Sequence, residues 1–242
     1  MPRFFVDCPL TVGESAVLEG EDARHIAGAL RMTVGEPLTL CDGAGQDYAC
    51  TITAVDRQTV TARVDGVSPS AAEPTLAVTL YMGLPKGDKL ELIIQKAVEL
   101  GVTTIIPVTT ARSIARFEPR DGAKKLTRWR RIAAEAAGQS GRGIRPTVEE
   151  PLAFKQALSR LAEENVLLCY EGGGTPIGEL VSPADRALSL FVGPEGGFDP
   201  AEVEAVKGLG GRIATLGPRI LRCETAPLAA LAVLMERSGN MQ

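Results

Sequence analysis

Two glycine-rich stretches near the C-terminus have the residue types and spacing to hold a small ligand. The first is Phe191-Val192-Gly193-Pro194-Glu195-Gly196-Gly197-Phe198; the second is Leu216-Gly217-Pro218-Arg219-Ile220-Leu221-Arg222-Cys223-Glu224-Thr225-Ala226. An apolar run precedes each, Leu188 to Val192 and Ile213 to Leu216, and helix-like stretches follow from Asp199-Pro200 and from Glu224. Strand, glycine turn and helix is how α/β folds present backbone N–H groups to a ligand at the strands' C-terminal ends. A single turn of this kind is explained by tight bends that need positive φ. Two of them, with arginine and glutamate interleaved, point to one ligand held between them. The familiar nucleotide loops are excluded: no G-x-x-x-x-G-K-[ST] occurs, and the Met82 to Asp88 stretch has the wrong spacing for G-x-G-x-x-G.

The remaining reactive side chains narrow the chemistry. His25 is the only histidine, so a multi-histidine metal site is impossible, and a metal-free reaction is expected. It sits in Glu21 to Met32, where the spacing of Ile26, Ala29 and Leu30 predicts a helix with His25 on its surface. The five cysteines (Cys8, Cys41, Cys50, Cys169, Cys223) are odd in number and form no C-x-x-C pair, which predicts reduced thiols in a cytoplasmic protein. The longest apolar stretch, Leu228 to Met235, is too short for a membrane span, and the N-terminus does not read as a signal peptide.

Net charge is −4, yet charge is segregated. From Arg112 to Arg145 there are ten basic residues (Arg112, Arg116, Arg120, Lys124, Lys125, Arg128, Arg130, Arg131, Arg142, Arg145) against three acidic ones (Glu118, Asp121, Glu135). A basic cluster on an acidic chain predicts a local polyanion contact, the alternative being a solvated helix face.

The elements that must position these residues fall into two parts. Residues 1 to 72 read as β-rich, with strands near Leu38, over Tyr48 to Val55 and over Val60 to Val64. Ser68-Pro-Ser-Ala-Ala-Glu-Pro74 reads as a linker. From 73 to 242, strand-like runs (Leu76 to Met82, Thr104 to Val108, Val166 to Tyr170, Leu188 to Val192, Ile213 to Leu216) alternate with helical ones. The helical stretches are Lys89 to Leu100, Lys124 to Ala137, Leu152 to Glu163, Pro200 to Lys207 and Glu224 to Arg237. Such alternation predicts a mainly parallel sheet with helices on both faces. Pro227 falls in the first turn of the last helix, where proline is tolerated.

The two glycine stretches resemble the C-terminal motifs of SPOUT-class methyltransferases, and the whole chain resembles the bacterial small-subunit ribosomal RNA uridine-N3 methyltransferases. Arg3-Phe4-Phe5-Val6, His25-Ile26, Leu30-Arg31-Met32, Gly35, Asp42-Gly43 and Gly45 carry the likeness in the N-terminal part. Lys86-Gly87-Asp88-Lys89, Gln95 to Gly101, Arg112-Ser113, Trp129, Glu135 and Gln139-Ser140-Gly141-Arg142 carry it further on. Gly138 departs from the pattern, standing where that family usually has an acidic residue.

The resemblance implies an N-terminal PUA-like β-barrel and a C-terminal α/β SPOUT domain with a deep trefoil knot. It implies S-adenosylmethionine as methyl donor, 16S rRNA of the small ribosomal subunit as substrate and a homodimer. The cofactor residues would be Val192, Gly193, Glu195, Gly196, Gly197, Leu216, Gly217, Ile220, Leu221, Arg222, Thr225 and Ala226. RNA contacts would come from Arg3, Arg24, Arg31, Lys86, Lys89, Arg112, Arg128, Arg131 and Arg142. Methylating uridine at N3 removes an imide proton and leaves charge on O2 and O4. Arg222 is suited to stabilise that anion, and Glu195 to face the cationic sulfonium. The base is either Glu195 or solvent. An Arg222–Glu224 ion pair bracing the loop is the competing structural role. A ribose 2′-O methyltransferase is a second reading, opposed by the N-terminal Arg-Phe-Phe-Val segment and the His25 helix. A non-catalytic ribosome-assembly factor is a third, opposed by the intact glycine turns and Arg222.

Overall fold

Period-two burial organises the first seventy residues. In β2 (Ser15–Glu19), Ala16 and Leu18 face inward while Ser15, Val17 and Glu19 face solvent. With β1 (Arg3–Phe5), β3 (Pro37–Cys41), β4 (Gln46–Val55) and β5 (Thr59–Pro69) it forms a five-stranded sheet in the order β1-β3-β4-β5-β2. The β1–β3 pair is parallel and the other pairs antiparallel. Register shifts at Ala49/Cys50 and Ile52/Ala54 mark bulges, which bend and twist a strand. The sheet wraps Phe4, Leu18, Ile26, Leu38, Leu40, Ile52 and Val60. β1 and β2 remain separate edges, so the expected barrel is an open half-barrel.

The computed structural model describes residues 1–115, 117 and 119–241, which divide into two compact units. The first comprises Met1–Glu73 and Ala137–Arg145; the second comprises Pro74–Ala136 and Pro146–Gln242.

Two local expectations change in the first unit. The helix α1 (Gly20–Arg24) runs into a π-helical turn, His25–Ala29, whose i→i+5 bonding shifts the phase of the side chains. Ala23 and Ile26 stay buried, but Ala29 and Leu30 turn outward, contrary to an uninterrupted α spacing. The expected linker also starts later, because Ser68 and Pro69 still pair with Asp47 and Gln46.

One carboxylate makes several of the bonds that join the segment 137–145 to this unit. Glu73 accepts the backbone N–H groups of Gly143 (2.9 Å) and Ile144 (3.0 Å) and pairs with the Arg142 guanidinium at 2.8 Å. Gly143 lies so close to Ser70 that a Cβ would approach the Ser70 Cβ to 2.5 Å. Arg145 pairs with Asp7 and lies 5.1 Å over the Phe5 ring.

In the second unit the expected alternation appears as a parallel sheet. Its strands are β6 (Ala77–Gly83), β7 (Thr104–Thr109), β8 (Thr147–Val148), β9 (Leu152–Ala153), β10 (Val166–Cys169), β11 (Thr175–Pro176), β12 (Ala187–Val192) and β13 (Arg212–Thr215). Their order is β11-β13-β10-β12-β6-β7-β8, with β9 beside β7. The helices are α2 (Lys89–Glu99), α3 (Pro119–Gln139), α4 (Phe154–Leu161), α5 (Pro200–Gly208) and α6 (Ala226–Arg237). Tyr81, Phe191 and Leu168 share one sheet face with Ala157 and Leu161 of α4 and Val203 and Val206 of α5. α2 packs on α6. Strands buried on both faces read as mostly apolar runs, as Leu188 to Val192 does with Ser189 its one polar residue.

Removing one partner of a buried ion pair leaves the other uncompensated, which typically costs about 3–5 kcal/mol. Glu73→Ala would take an ion-pair partner from Arg142, whose side chain is 2% exposed, and the acceptor from two backbone N–H groups. We expect a fall in unfolding free energy of about 3 kcal/mol, read as a lowered urea midpoint. An unchanged midpoint would show that the segment is held by other contacts.

Candidate functional site

Parallel strands all point their C-terminal ends the same way, so the turns that follow them gather on one edge of the sheet. Here the turns after β10, β12 and β13 enclose a cavity of about 560 Å³. That size suits a cofactor.

The turn after β12 is built by close approach. Gly197 N–H donates to Pro194 O at 2.9 Å, and Gly197 holds φ at +65°, a left-handed conformation that favours glycine. Gly83, at the end of the neighbouring β6, has no room for a side chain, since a Cβ would come within 2.4 Å of Pro194 Cδ. Asp199 then caps α5, accepting the Ala201 N–H at 3.0 Å, with Pro200 in the first turn. Glu202 completes the capping box by accepting the Asp199 N–H at 3.0 Å. Its other oxygen accepts the Ala111 N–H at 2.8 Å, which docks the β7–α3 loop against this turn. The adjacent Arg112 donates to Gly196 O at 3.1 Å and pairs with Asp199 at 3.7 Å.

Of the sequence-derived cofactor residues, Val192, Gly193, Glu195, Gly196, Gly197, Leu216, Gly217, Ile220, Leu221, Arg222 and Ala226 line the cavity. Thr225 does not; it precedes α6, and its N–H donates to Arg222 O at 2.9 Å. The wall also includes Tyr170 and Glu171 from the turn after β10, which the sequence pattern did not single out. The signal was present: Tyr170-Glu171-Gly172-Gly173-Gly174 follows an apolar run as the other two turns do. Arg222 is exposed and, among the described residues, makes no side-chain hydrogen bond or ion pair. Ile220 is 87% exposed.

The alternative Arg222–Glu224 pair is not formed among the described residues. Glu224 instead pairs with Lys89 at 3.2 Å, and Lys89 pairs with Glu195 at 3.1 Å. Glu195 also accepts the Lys86 N–H at 3.1 Å. Burial pushes the Glu195 carboxyl up, but its own backbone N–H, the Lys89 ammonium and the Lys86 N–H together hold it below the usual carboxylate range. Glu224 is also held low, first by the Cys223 thiol and then by its own N–H and Lys89. Hydrogen bonds to Glu195 and Glu224 raise Lys89 to about 12, and burial pushes the Cys223 thiol up to about 12. A carboxylate held low is a counter-charge and a poor proton acceptor at neutral pH.

The candidate RNA-facing cations are unequally placed. Arg24, Arg31, Lys86, Arg112, Arg128 and Arg131 are exposed. Arg128 pairs with Glu91 (2.6 Å) and Arg131 with Glu135 (3.6 Å). Arg3 forms a two-pronged pair with Asp47 (2.6 and 2.8 Å), and Lys89 is engaged as described. Arg142 is a correction: buried against Glu73, its guanidinium braces the first unit and is closed to a phosphate. Arg116 and Glu118 lie outside the described residues, as do the side chains of Arg120 and Asp121. Gly138 has open space where a Cβ would stand, so the missing acidic side chain leaves no packing defect. Among the described residues no group of acidic, histidine or cysteine side chains could hold a metal ion, and no helix is long and apolar enough to cross a membrane.

Because Lys89 favours the charged form of Glu195, its removal raises the Glu195 pKa. In Lys89→Met, the Glu195 carboxyl should titrate at higher pH than in the wild type, measured by carbon-detected NMR. The cluster's stabilisation is complete above the ordinary carboxylate range, near pH 4.5, and is lost as pH falls through the two depressed values. An unmoved Glu195 titration would remove Lys89 from this role.

Comparison with known proteins places this geometry. An RNA methyltransferase domain family matches residues 72–235, and an RNA methyltransferase PUA domain family matches residues 18–65. The chain is 37% identical to ribosomal RNA small subunit methyltransferase E of Bacillus subtilis, covering 97% of this chain and 96% of the relative. It is 33% identical to the protein of that name from Mycobacterium tuberculosis, over 96% and 90% of the two chains. The crystal structure of the Neisseria gonorrhoeae protein of that name, bound to S-adenosylmethionine, matches with a TM-score of 0.89 and 35% identity, over 98% and 97%. A Legionella pneumophila methyltransferase structure, also in complex with that cofactor, matches with a TM-score of 0.87 and 31% identity, over 97% and 96%. The chain is a member of the ribosomal RNA small subunit methyltransferase E family.

Proposed function

We propose that this protein transfers a methyl group from S-adenosylmethionine to N3 of uridine-1498 in 16S rRNA of the small ribosomal subunit. The observation that carries the reading is the cavity over the strand ends, with Arg222 exposed on its wall and unpaired among the described residues. The relatives solved with the same cofactor support the ligand's identity.

The residues present fit that cofactor. Gly193, Gly196, Gly197 and Gly217 line the cavity without side chains, which lets adenine and ribose approach the backbone closely, and Ile220 and Leu221 offer an apolar wall for the adenine face. Glu195 supplies a negative charge for the sulfonium, held in place by Lys89 and the Lys86 N–H. The cofactor contributes an electrophilic methyl group on a cationic sulfur. Arg222, unpaired among the described residues, hydrogen-bonds the uracil oxygen on which charge develops as the N3 proton leaves. Glu195 is engaged by Lys89 and the Lys86 N–H, which leaves solvent to take that proton.

The wider assembly follows the same reading. Residues 1–72 serve as the PUA-like RNA-binding domain, and 73–242 as the SPOUT domain, whose C-terminal loops form a deep trefoil knot. The exposure of Ile220 (87%) and Ile114 (70%) supports a homodimer in which a second copy covers them. The free cysteines suit the cytoplasm. Arg3, Arg24, Arg31, Lys86, Lys89, Arg112, Arg128 and Arg131 remain as RNA contacts, with the exposed ones foremost.

Loss of one preorganised donor typically costs about 10²–10³ in rate. Arg222→Ala should therefore slow single-turnover methyl transfer to unmodified small subunits by about that factor at saturating cofactor, with RNA affinity nearly unchanged. Arg222→Lys should recover only part of the rate, since lysine lacks the planar fork. Mass spectrometry of the product should place the methyl on uridine N3; a ribose methyl would overturn the target. Normal turnover in Arg222→Ala would remove it from the site.

The exposed helix face predicts a salt effect. Charge reversal at Arg128 and Arg131 should weaken RNA binding and flatten the slope of log K against log salt, by about 0.7–0.9 for each phosphate no longer neutralised. A wild-type slope would leave the stretch a solvated face.

A further inference from the structure

Glu171 is a carboxylate on the cavity wall to which neither the fold nor the proposed chemistry assigns a task. It stands just past the end of β10, is exposed, and makes no side-chain hydrogen bond or ion pair among the described residues. It points at Gly197: a Cβ built there would come within 2.4 Å of Glu171 Oε1. Glycine is therefore required at 197 twice over, for its positive φ and for the space the carboxylate occupies.

The strand order assigns Glu171 a ligand group. Neighbouring strands run β13, β10, β12, β6. Past their ends, in the same order, come the apolar wall of Ile220 and Leu221, then Glu171, then the Gly193 to Phe198 turn, then Lys86 and Lys89, which draw Glu195 to that side. The cofactor has a fixed covalent order as well: adenine, ribose, sulfonium arm. With adenine on the apolar wall and the sulfonium beside Glu195, the ribose falls opposite Glu171.

We infer that Glu171 is the ribose-recognition residue, its two carboxylate oxygens accepting the vicinal 2′ and 3′ hydroxyls. A carboxylate is acceptor-only, and a cis-diol offers two adjacent donors, so the pair is chemically matched. This rests on the cofactor reading above. It adds a residue from the turn after β10 to a site otherwise drawn from the two glycine stretches.

The test measures binding alone. S-adenosylhomocysteine and its 2′-deoxy and 3′-deoxy analogues are titrated calorimetrically into the wild type, Glu171→Gln and Glu171→Ala, with circular dichroism to check folding. Hydrogen bonds to a charged group are worth about tenfold or more in affinity. The wild type should bind the deoxy analogues at least about tenfold more weakly than the parent. Glu171→Ala should lose a similar factor for the parent and no longer distinguish the three ligands. Glu171→Gln, which keeps one acceptor oxygen, should fall between. Wild-type affinity and discrimination in folded Glu171→Ala would overturn the inference and leave the cofactor reading standing. Failure of the wild-type protein to bind the parent ligand would overturn both.

Discussion

Three separate stretches of chain meet at the Lys89 ammonium. Glu195 arrives from the turn after β12, Glu224 from the loop after β13, and Lys89 itself opens α2 just beyond β6. Each carboxylate is drawn toward the charged form by that shared cation, and the cation is held charged by both. The consequence is geometric more than energetic, because the three side chains are partly exposed and solvent screens their attraction. The two glycine-rich loops are tied to one point on α2, and the cavity wall between them takes its shape from that tie.

The same arrangement divides labour among the charged groups. Glu195 and Glu224 are committed to Lys89 and serve as fixed charges. Arg222, which the sequence allowed to pair with Glu224, is released by that commitment and stands exposed on the wall. A preorganised donor acts on a developing anion only if it has no competing partner. Glu202 supports the arrangement from behind, capping α5 and anchoring the loop that carries Arg112 to Gly196.

Much of this was legible in local pattern. The run Leu188 to Val192 became β12, Asp199-Pro200 became a capped helix start, and Pro227 fell in the first turn of α6. These features depend on neighbours in the chain, and periodicity and capping chemistry report on such neighbours. Part of what failed depended on distant partners. Arg142 and Arg128 look alike in a charge count, yet only Arg142 meets a carboxylate in the interior, 69 residues away in the sequence. The Lys86–Glu195 contact spans 109 residues. The π-helical turn at His25–Ala29 shifted two apolar residues outward through a change of bonding that composition does not encode. Tyr170-Glu171 differs in order: its glycines come after the charged residue, whereas a glycine precedes the charged residues in both other turns.

The strand order also sets a timetable. β12 lies between β10 and β6, and Ala77 pairs with Ala187 across more than a hundred residues of chain. As the protein emerges from the ribosome, β6 and β7 can pair early, but the strand that joins them to β10 comes late. Glu224 and α6, which packs on α2, follow β13 and come later than either pair. The ligand cavity cannot close before the loop after β13 has been made, since that loop supplies part of its wall. Pairing between strands so far apart in sequence is slow to form, so the apolar edge of β6 that β12 covers stays open until β12 has been made.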